Sequence, residues 1–351
     1  MLEIFDNTKI YIVAPANSRT AGPELLHQMA FYIRNFLKFN VYMYFVPPDH
    51  PNPIPSDFKE YGNCSVNKIE DECENIIIVP EIYNTLKIFD NFCKIRKVIW
   101  WMSIDNFFID RFIFKDIILS LPIRIIKKLT ELLSLPPILE INKVALKYYS
   151  KYKIESDPLV KQAILNICSA HHVKLFLEKR GLKVFFLVEF LNNDFLDFNT
   201  DLTKKENIIV YNPLKGAKFT RKIINNAKHL NFVPISNLSR KDVIKLLQRA
   251  KVYIDFGNHP GRDRLPREAA LLKCCIITNR KGGAMLKEDL GIPEEYKFDD
   301  NFVNIPLIIN KIEDCLTDYE NKLYDFEKYR KSILEEPSLF LEGIKKLFVK
   351  V

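Results

Sequence analysis

Asp255-Phe256-Gly257-Asn258-His259-Pro260-Gly261-Arg262-Asp263-Arg264-Leu265-Pro266-Arg267-Glu268-Ala269-Ala270 is the stretch around which the rest of the chain can be read. An apolar run at 252–254 leads into it, a helical pattern at 268–273 leads out, and another apolar run at 274–277 follows at once. Strand, polar loop, helix, strand is a βαβ unit. The loop falls at the carboxyl end of the first strand, where open α/β sheets bind ligands. It carries three arginines, a histidine, two glycines and a carboxylate at the expected helix start, groups that suit a phosphorylated ligand. The plainer alternative is a solvated charged loop beside an ordinary strand.

The same alternation extends in both directions. Downstream of 207, strands are expected at 208–211, 232–233, 252–255 and 274–278, with helices at 221–230, at 240–250 and from 267. Upstream, strands are expected at 9–14, 41–45, 76–79, 97–101, 165–168 and 184–188. A helix from Pro23 spaces Leu25, Leu26, Met29, Ala30, Ile33 and Leu37 on one side. Polar residues dominate 192–207, which reads as a linker. The chain is thus expected to be α/β with two Rossmann-like domains. They are an N-terminal domain at 1–190, a linker at 191–206, a C-terminal domain at 207–330, and a last helix at 331–351 that crosses back.

A length of 351 residues suits two domains, and 48% apolar residues are ample for two cores. Lysine and arginine exceed the acids by 8, spread along the chain and not gathered in a tail. Nucleic acid, anionic lipid or a phosphorylated substrate could use that excess. Aromatic residues sit in apolar runs, not interleaved with a basic stripe, so nucleic acid is not expected as a partner. Seven cysteines include no Cys-x-x-Cys pair and no zinc-like Cys/His set, which points to a reduced, cytoplasmic protein without a metal. No signal peptide and no spanning helix are expected. Residues 107–137 are a hydrophobic and basic insertion with prolines at 122, 136 and 137. Ile125, Ile126, Leu129, Leu132 and Leu133 follow helical spacing opposite Arg124, Lys127, Lys128 and Glu131. Such a helix either packs its stripe on its own domain or lies on an anionic membrane, giving peripheral attachment to the inner face of the cell membrane.

Six of the ten glycines, Gly22, Gly216, Gly257, Gly261, Gly282 and Gly283, fall in loops expected to follow strands. No Walker A sequence and no Gly-x-Gly-x-x-Gly follows a strand, which argues against a P-loop kinase and a standard NAD enzyme. A phosphate site built from several strand-end loops remains. Lys215, in Tyr211-Asn212-Pro213-Leu214-Lys215-Gly216, would act there as a point charge. Arg262, Arg264 and Arg267 would make bidentate contacts, though at least one is expected to pair with Asp263 or Glu268. His259 would bind a phosphate or a sugar hydroxyl, or simply occupy a turn. Glu268 would accept from ribose hydroxyls, or simply answer a helix dipole.

These residues resemble those of bacterial glycosyltransferases of the GT-B type, in the surface-polysaccharide branch (capsule and lipopolysaccharide). Arg267-Glu268-Ala269-Ala270 followed by Cys274-Cys275-Ile276-Ile277-Thr278 resembles the second half of the Glu-x7-Glu motif of the retaining enzymes. The motif's first Glu is replaced by Pro260, which leaves inversion or retention open. Thr20-Ala21-Gly22-Pro23-Glu24-Leu25-Leu26-His27-Gln28 resembles the acceptor-side glycine loop, and Trp100-Trp101-Met102-Ser103-Ile104-Asp105-Asn106 a strand-end segment of polysaccharide enzymes.

The resemblance implies two facing domains with a cleft between them. A nucleotide-diphosphate sugar would be held by Lys215, Gly216, Gly257, His259, Arg262, Arg264, Arg267 and Glu268. The acceptor would be a hydroxyl of a glycan or lipid-linked molecule, with Glu24, Asp105 or His27 as base. No metal and no cofactor beyond the sugar donor are implied. Two rivals stand beside this reading: a nucleotide-sugar epimerase on the same plan, and a non-catalytic nucleotide-binding subunit of a polysaccharide assembly complex.

Overall fold

The computed structural model describes residues 1–132, 141–196 and 200–351, with the side chains of 126, 127, 129–132 and 141 set aside. In chain order, the first part holds β1 (Leu2–Ile4), β2 (Lys9–Pro15), α1 (Ala21–Tyr32), β3 (Asn40–Val46), β4 (Ile76–Pro80), α2 (Tyr83–Leu86), β5 (Arg96–Trp101), α3 (Ile104–Phe114), α4 (Ile117–Leu132), α5 (Ile141–Tyr148), β6 (Leu165–Cys168), α6 (His171–Glu178), β7 (Val184–Phe186) and α7 (Asn193–Leu196). The remainder holds β8 (Glu206–Tyr211), α8 (Ala217–Asn226), β9 (Asn231–Pro234), α9 (Arg240–Arg249), β10 (Ala250–Asp255), α10 (Arg264–Leu271), β11 (Cys275–Asn279), β12 (Lys297–Phe298), α11 (Ile305–Thr317), α12 (Tyr319–Tyr324), α13 (Glu327–Leu347) and β13 (Phe348–Lys350).

The chain divides into two compact units. The first comprises Met1–Ser169, Val173–Leu187 and Leu341–Val351; the second comprises Ala170–His172 and Val188–Phe340. Each is a Rossmann-like α/β unit. The first is built on a parallel sheet of order β3-β2-β4-β5-β6-β7, and its β1 pairs separately with β13. The second is built on a parallel sheet of order β12-β11-β10-β8-β9.

Parallel strands covered by helices on both faces need unbroken apolar runs. Ile-Ile-Ile-Val-Pro of β4 is such a run, and all of it is buried. In the second unit Ile209, Val210, Val252, Ile254, Ile276 and Ile277 pack with Ile308, Ile312, Phe326 and Ile333 in one apolar cluster.

The strand order reverses once in each unit. After β2 the chain adds β3 on one side and then returns to place β4 on the other; β8, β9 and β10 repeat the manoeuvre. The loops leaving β2 and β4, and those leaving β8 and β10, therefore diverge and leave a crevice at the carboxyl ends of the strands.

Several boundaries differ from expectation. The helix expected from 267 starts at Arg264, with Asp263 at its N-cap, so Glu268 is one turn inside and not at the start. The helix expected from Pro23 starts at Ala21. The strand expected at 184–188 ends at Phe186. Strands β1, β12 and β13, of two or three residues, are too short to show a period in sequence. Residues 133–140 of the expected 107–137 insertion, with Pro136 and Pro137, and 197–199 of the expected linker lie outside the described residues.

Candidate functional site

The second unit's crevice is lined by three strand-end loops that interlock through glycines. Gly216, between β8 and α8, has φ +59, and a side chain there would stand 2.1 Å from the Phe256 carbonyl oxygen. Gly257, after β10, faces the Lys215 stem, so an added Cβ would lie 2.6 Å from the Lys215 Cβ. Gly282, after β11, has φ +52, and its missing Cβ would stand 2.0 Å from the His259 carbonyl oxygen. Only residues without a side chain let three backbones close this tightly. Asn279 Nδ2 donates to the Gly257 carbonyl at 2.7 Å and ties β11 to the same loop.

Inside this frame sits a compact charged group. Asp263 Oδ2 lies 2.7 Å from Lys215 Nζ and 2.7 Å from His259 Nδ1. Burial pushes the Asp263 carboxyl up, but the His259 hydrogen bond and the Lys215 charge outweigh it and hold the pKa below the ordinary value. Asp255 spends its two oxygens locally: Oδ1 accepts from Gly257 N–H at 2.9 Å and Oδ2 from the Tyr253 hydroxyl at 2.9 Å. His259 Nε2 is 4.0 Å from Asp255 Oδ1, and that nitrogen is buried without a hydrogen-bond partner. Asp255, His259 and Asp263 could together hold a metal ion, since their ligand atoms lie within 4.8 Å of one another. The Lys215 ammonium already stands against Asp263, however. It supplies fixed positive charge where an ion would bring it.

The three arginines are placed very differently from one another. Arg267 is fully buried, and its guanidinium reaches Glu189 and Glu336 side chains and the carbonyls of Glu189, Arg262 and Asp263. All five of its N–H groups are thereby engaged, which is the setting of a structural arginine rather than a free phosphate ligand. Arg262 also turns to Glu336, Nη2 to Oε1 at 2.7 Å. Burial raises the Glu189 carboxyl, and the neighbouring arginines oppose that. Arg264 lies one helical turn from Glu268, Nε to Oε1 at 3.9 Å. Lys215, with a side chain 34% exposed, is the most open of the five charged groups proposed to bind the donor.

A second carboxylate braces the loop from the other end. Asp289 accepts from the backbone N–H of His171 at 2.6 Å and of His172 at 2.9 Å, with both rings close by. Burial pushes the Asp289 carboxyl up, but these hydrogen bonds prevail and hold it well below the carboxylate range. His172 Nε2 reaches the Pro260 carbonyl at 3.0 Å.

In the first unit, the loops after β2, β4 and β5 meet. A side chain at Gly22 would touch Met102 Sδ at 3.0 Å. Glu24, in the first turn of α1, is fully buried, and Oε1 accepts from the Tyr61 hydroxyl at 3.2 Å. His27 is enclosed by Phe45, Phe58 and Tyr61, with Asn63 Nδ2 3.3 Å from Nδ1. Burial lowers its pKa to about 4 and keeps the ring neutral. Asp105 is half-buried in the first turn of α3, beside Ser103, whose hydroxyl caps the helix at Asn106 N–H. Trp100 and Trp101 are core residues whose indole N–H groups donate to Ser169 and Asn166.

Three groups at these sites escape a reading of the sequence. Glu81, immediately after β4, accepts from Ser103 N–H at 3.1 Å and Met102 N–H at 3.2 Å, and burial pushes it up to about 7. Glu189 and Glu336 are the other two. The only sequence signal is an acid inside an apolar run, Phe185-Phe186-Leu187-Val188-Glu189-Phe190-Leu191, which implies a buried partner without naming it.

No family model and no curated protein matches the sequence. Solved structures do. HepE of Anabaena, in complex with UDP-glucose, superposes with a TM-score of 0.55 at 11% identity, over 97% of this chain and 99% of that one. A glycosyltransferase of Rickettsia africae gives 0.59 at 14% identity, over 97% of both chains. Sucrose-phosphate synthase of Thermosynechococcus elongatus gives 0.59 at 10% identity, over 97% of this chain and 98% of that one. At such identities the likeness concerns the fold alone, and the fold is GT-B: two Rossmann-like α/β units with parallel sheets.

Proposed function

We propose that this chain transfers a glycosyl group from a nucleotide-diphosphate sugar to a hydroxyl of a glycan or lipid-linked acceptor, in bacterial surface-polysaccharide synthesis. The observation that carries the reading is the glycine-locked crevice of the second unit, with Lys215 at its opening and Glu268 on the helix behind it. The similarity in fold to HepE, whose structure holds UDP-glucose, and to the Rickettsia africae glycosyltransferase supports it.

In the reaction, the acceptor oxygen bonds to the anomeric carbon while the bond from that carbon to the β-phosphate oxygen breaks. The electron pair leaves with the nucleoside diphosphate. Lys215 and Arg264 answer the charge that develops there, so the reading is metal-independent. Gly216 and Gly257 let backbone approach the phosphates, and His259 meets a phosphate or sugar hydroxyl through Nε2. Arg262 and Arg267 act on the loop through Glu189 and Glu336. Glu268 accepts from the ribose hydroxyls. The acceptor proton goes to Glu24 or Asp105 if the anomeric centre inverts, or to the departing phosphate oxygen if it is retained. His27, weakly basic and enclosed, ranks behind both carboxylates.

Calorimetric titration with UDP, GDP and CMP tests the donor site: one nucleotide should bind, and Glu268→Ala should weaken it at least tenfold, about 1.4 kcal/mol. Binding of none of the three would defeat the proposal. Product analysis with the donor sugar alone separates transfer from epimerisation, and activity that survives EDTA is expected.

A further inference from the structure

The first unit carries a surface that the glycosyl-transfer reading does not use. Among the described residues, six of the 24 exposed large apolar side chains fall within twelve consecutive positions: Phe114, Ile117, Ile118, Leu119, Leu121 and Ile125. Ile118 is 87% exposed. At about 100° per residue of helix, Ile117, Ile118, Leu121 and Ile125 of α4 share one arc of about 100°. Outside that arc lie Ser120, which is buried, Ile123, which is half-buried, and Leu119, which is exposed. Over 117–125 the helix thus turns its apolar stripe away from its own unit, the reverse of a surface helix packed on a core.

Charge identifies the occupant. Lys115, Arg124 and Lys128 are exposed in the same stretch, and Arg124 and Lys128 project toward one edge of the stripe. No acidic residue occurs between 117 and 130. Asp116, just before it, accepts from the Tyr149 hydroxyl. Apolar side chains bordered by exposed cations match the boundary of a bilayer that carries anionic headgroups, where long basic side chains reach the phosphates while the stripe enters the acyl region. Among the described residues no helix is long and apolar enough to cross a membrane, so the segment would lie on the surface. We infer that α4 and the end of α3 dock the first unit on an anionic lipid surface. This docking does not depend on the glycosyl-transfer reading.

Co-sedimentation of the full chain with vesicles tests it. Vesicles of phosphatidylcholine alone are compared with vesicles holding about 30% phosphatidylglycerol. Binding should be at least about tenfold stronger to the anionic vesicles and should fall in about 0.5 M salt. Ile118→Asp combined with Leu121→Asp should abolish it. Arg124→Glu combined with Lys128→Glu should remove the preference for anionic lipid. Both variants should keep the wild-type circular dichroism and melting temperature, which shows that they fold. Failure to bind anionic vesicles, or binding that both variants retain, would overturn the inference. So would light scattering that reveals a dimer which Ile118→Asp with Leu121→Asp splits, since a second copy would then cover the stripe.

Discussion

Two buried titratable groups of the first unit respond to pH in opposite senses. Glu81 ordinarily titrates near 4.5 and is pushed up to about 7 by burial. Between those values the unfolded chain has released a proton that the folded chain keeps. Stability therefore falls as pH rises through that window, by about 3 kcal/mol in all. His27 is lowered from 6.5 to about 4 by burial, so its contribution is lost as pH falls from 6.5 towards 4. Replacing Glu81 by Gln removes its contribution and leaves those of the other groups in place. Melting temperatures from pH 4.5 to 8 should show the Glu81→Gln variant gaining on the wild type as pH rises; parallel profiles would refute the assignment. Glu24, Asp105, Lys215 and Glu268 were legible in the sequence because each is a polar residue at a strand or helix end. Glu189 and Glu336 were not. They lie 78 and 69 residues from Arg267, and no local pattern states that such groups meet.

Loops and helices show the same division between what is local and what is not. Gly216 and Gly181 both hold positive φ, at +59 and +76, yet their surroundings differ. A side chain at Gly216 would strike the Phe256 backbone, whereas nothing lies within 4 Å of the position at Gly181. Each Gly→Ala change should cost about 1–3 kcal/mol for the left-handed backbone. Only Gly216→Ala should also displace the Phe256–Gly257 backbone and weaken nucleotide binding, at least about tenfold by calorimetry. Equal affinities in the two variants would show that the interlocked loops do not shape the site. Lys205 makes the point for helices. It reads as a solvated linker lysine, but its ammonium joins the carbonyls of Leu247, Ala250 and Leu272 at 2.9, 2.6 and 2.6 Å, gathering the ends of α9 and α10 and the start of β10. The start of α10 lies ahead of its apolar period for a related reason. Pro266 sits in the first turn, where its missing N–H costs nothing, so the helix could begin before the apolar period became visible.

A ligand that binds only the native state adds stability by mass action, about 2.7 kcal/mol at a hundredfold excess over Kd. The nucleotide that binds should therefore raise the melting temperature of the full chain. Lys215→Ala, which removes the most open of the donor-site cations, should reduce that rise, and it should also lower the unliganded melting temperature because Asp263 loses a charge partner. A rise of unchanged size would remove Lys215 from the site. The pattern of short apolar runs, helical periods and strand-end glycines was enough to establish two parallel α/β units and to locate the loop at 255–268. Those features are local, set by the two-residue and 3.6-residue periods of the backbone and by where glycine and proline are tolerated. The order of the strands was not available there, since nothing in a strand says which neighbour it takes. That order puts Lys215 beside Asp263 and His259, and the packing of α13 and the 189 segment against α10 commits Arg267 to two buried carboxylates. Contact between groups distant in sequence depends on packing, and packing exists only once the chain has folded.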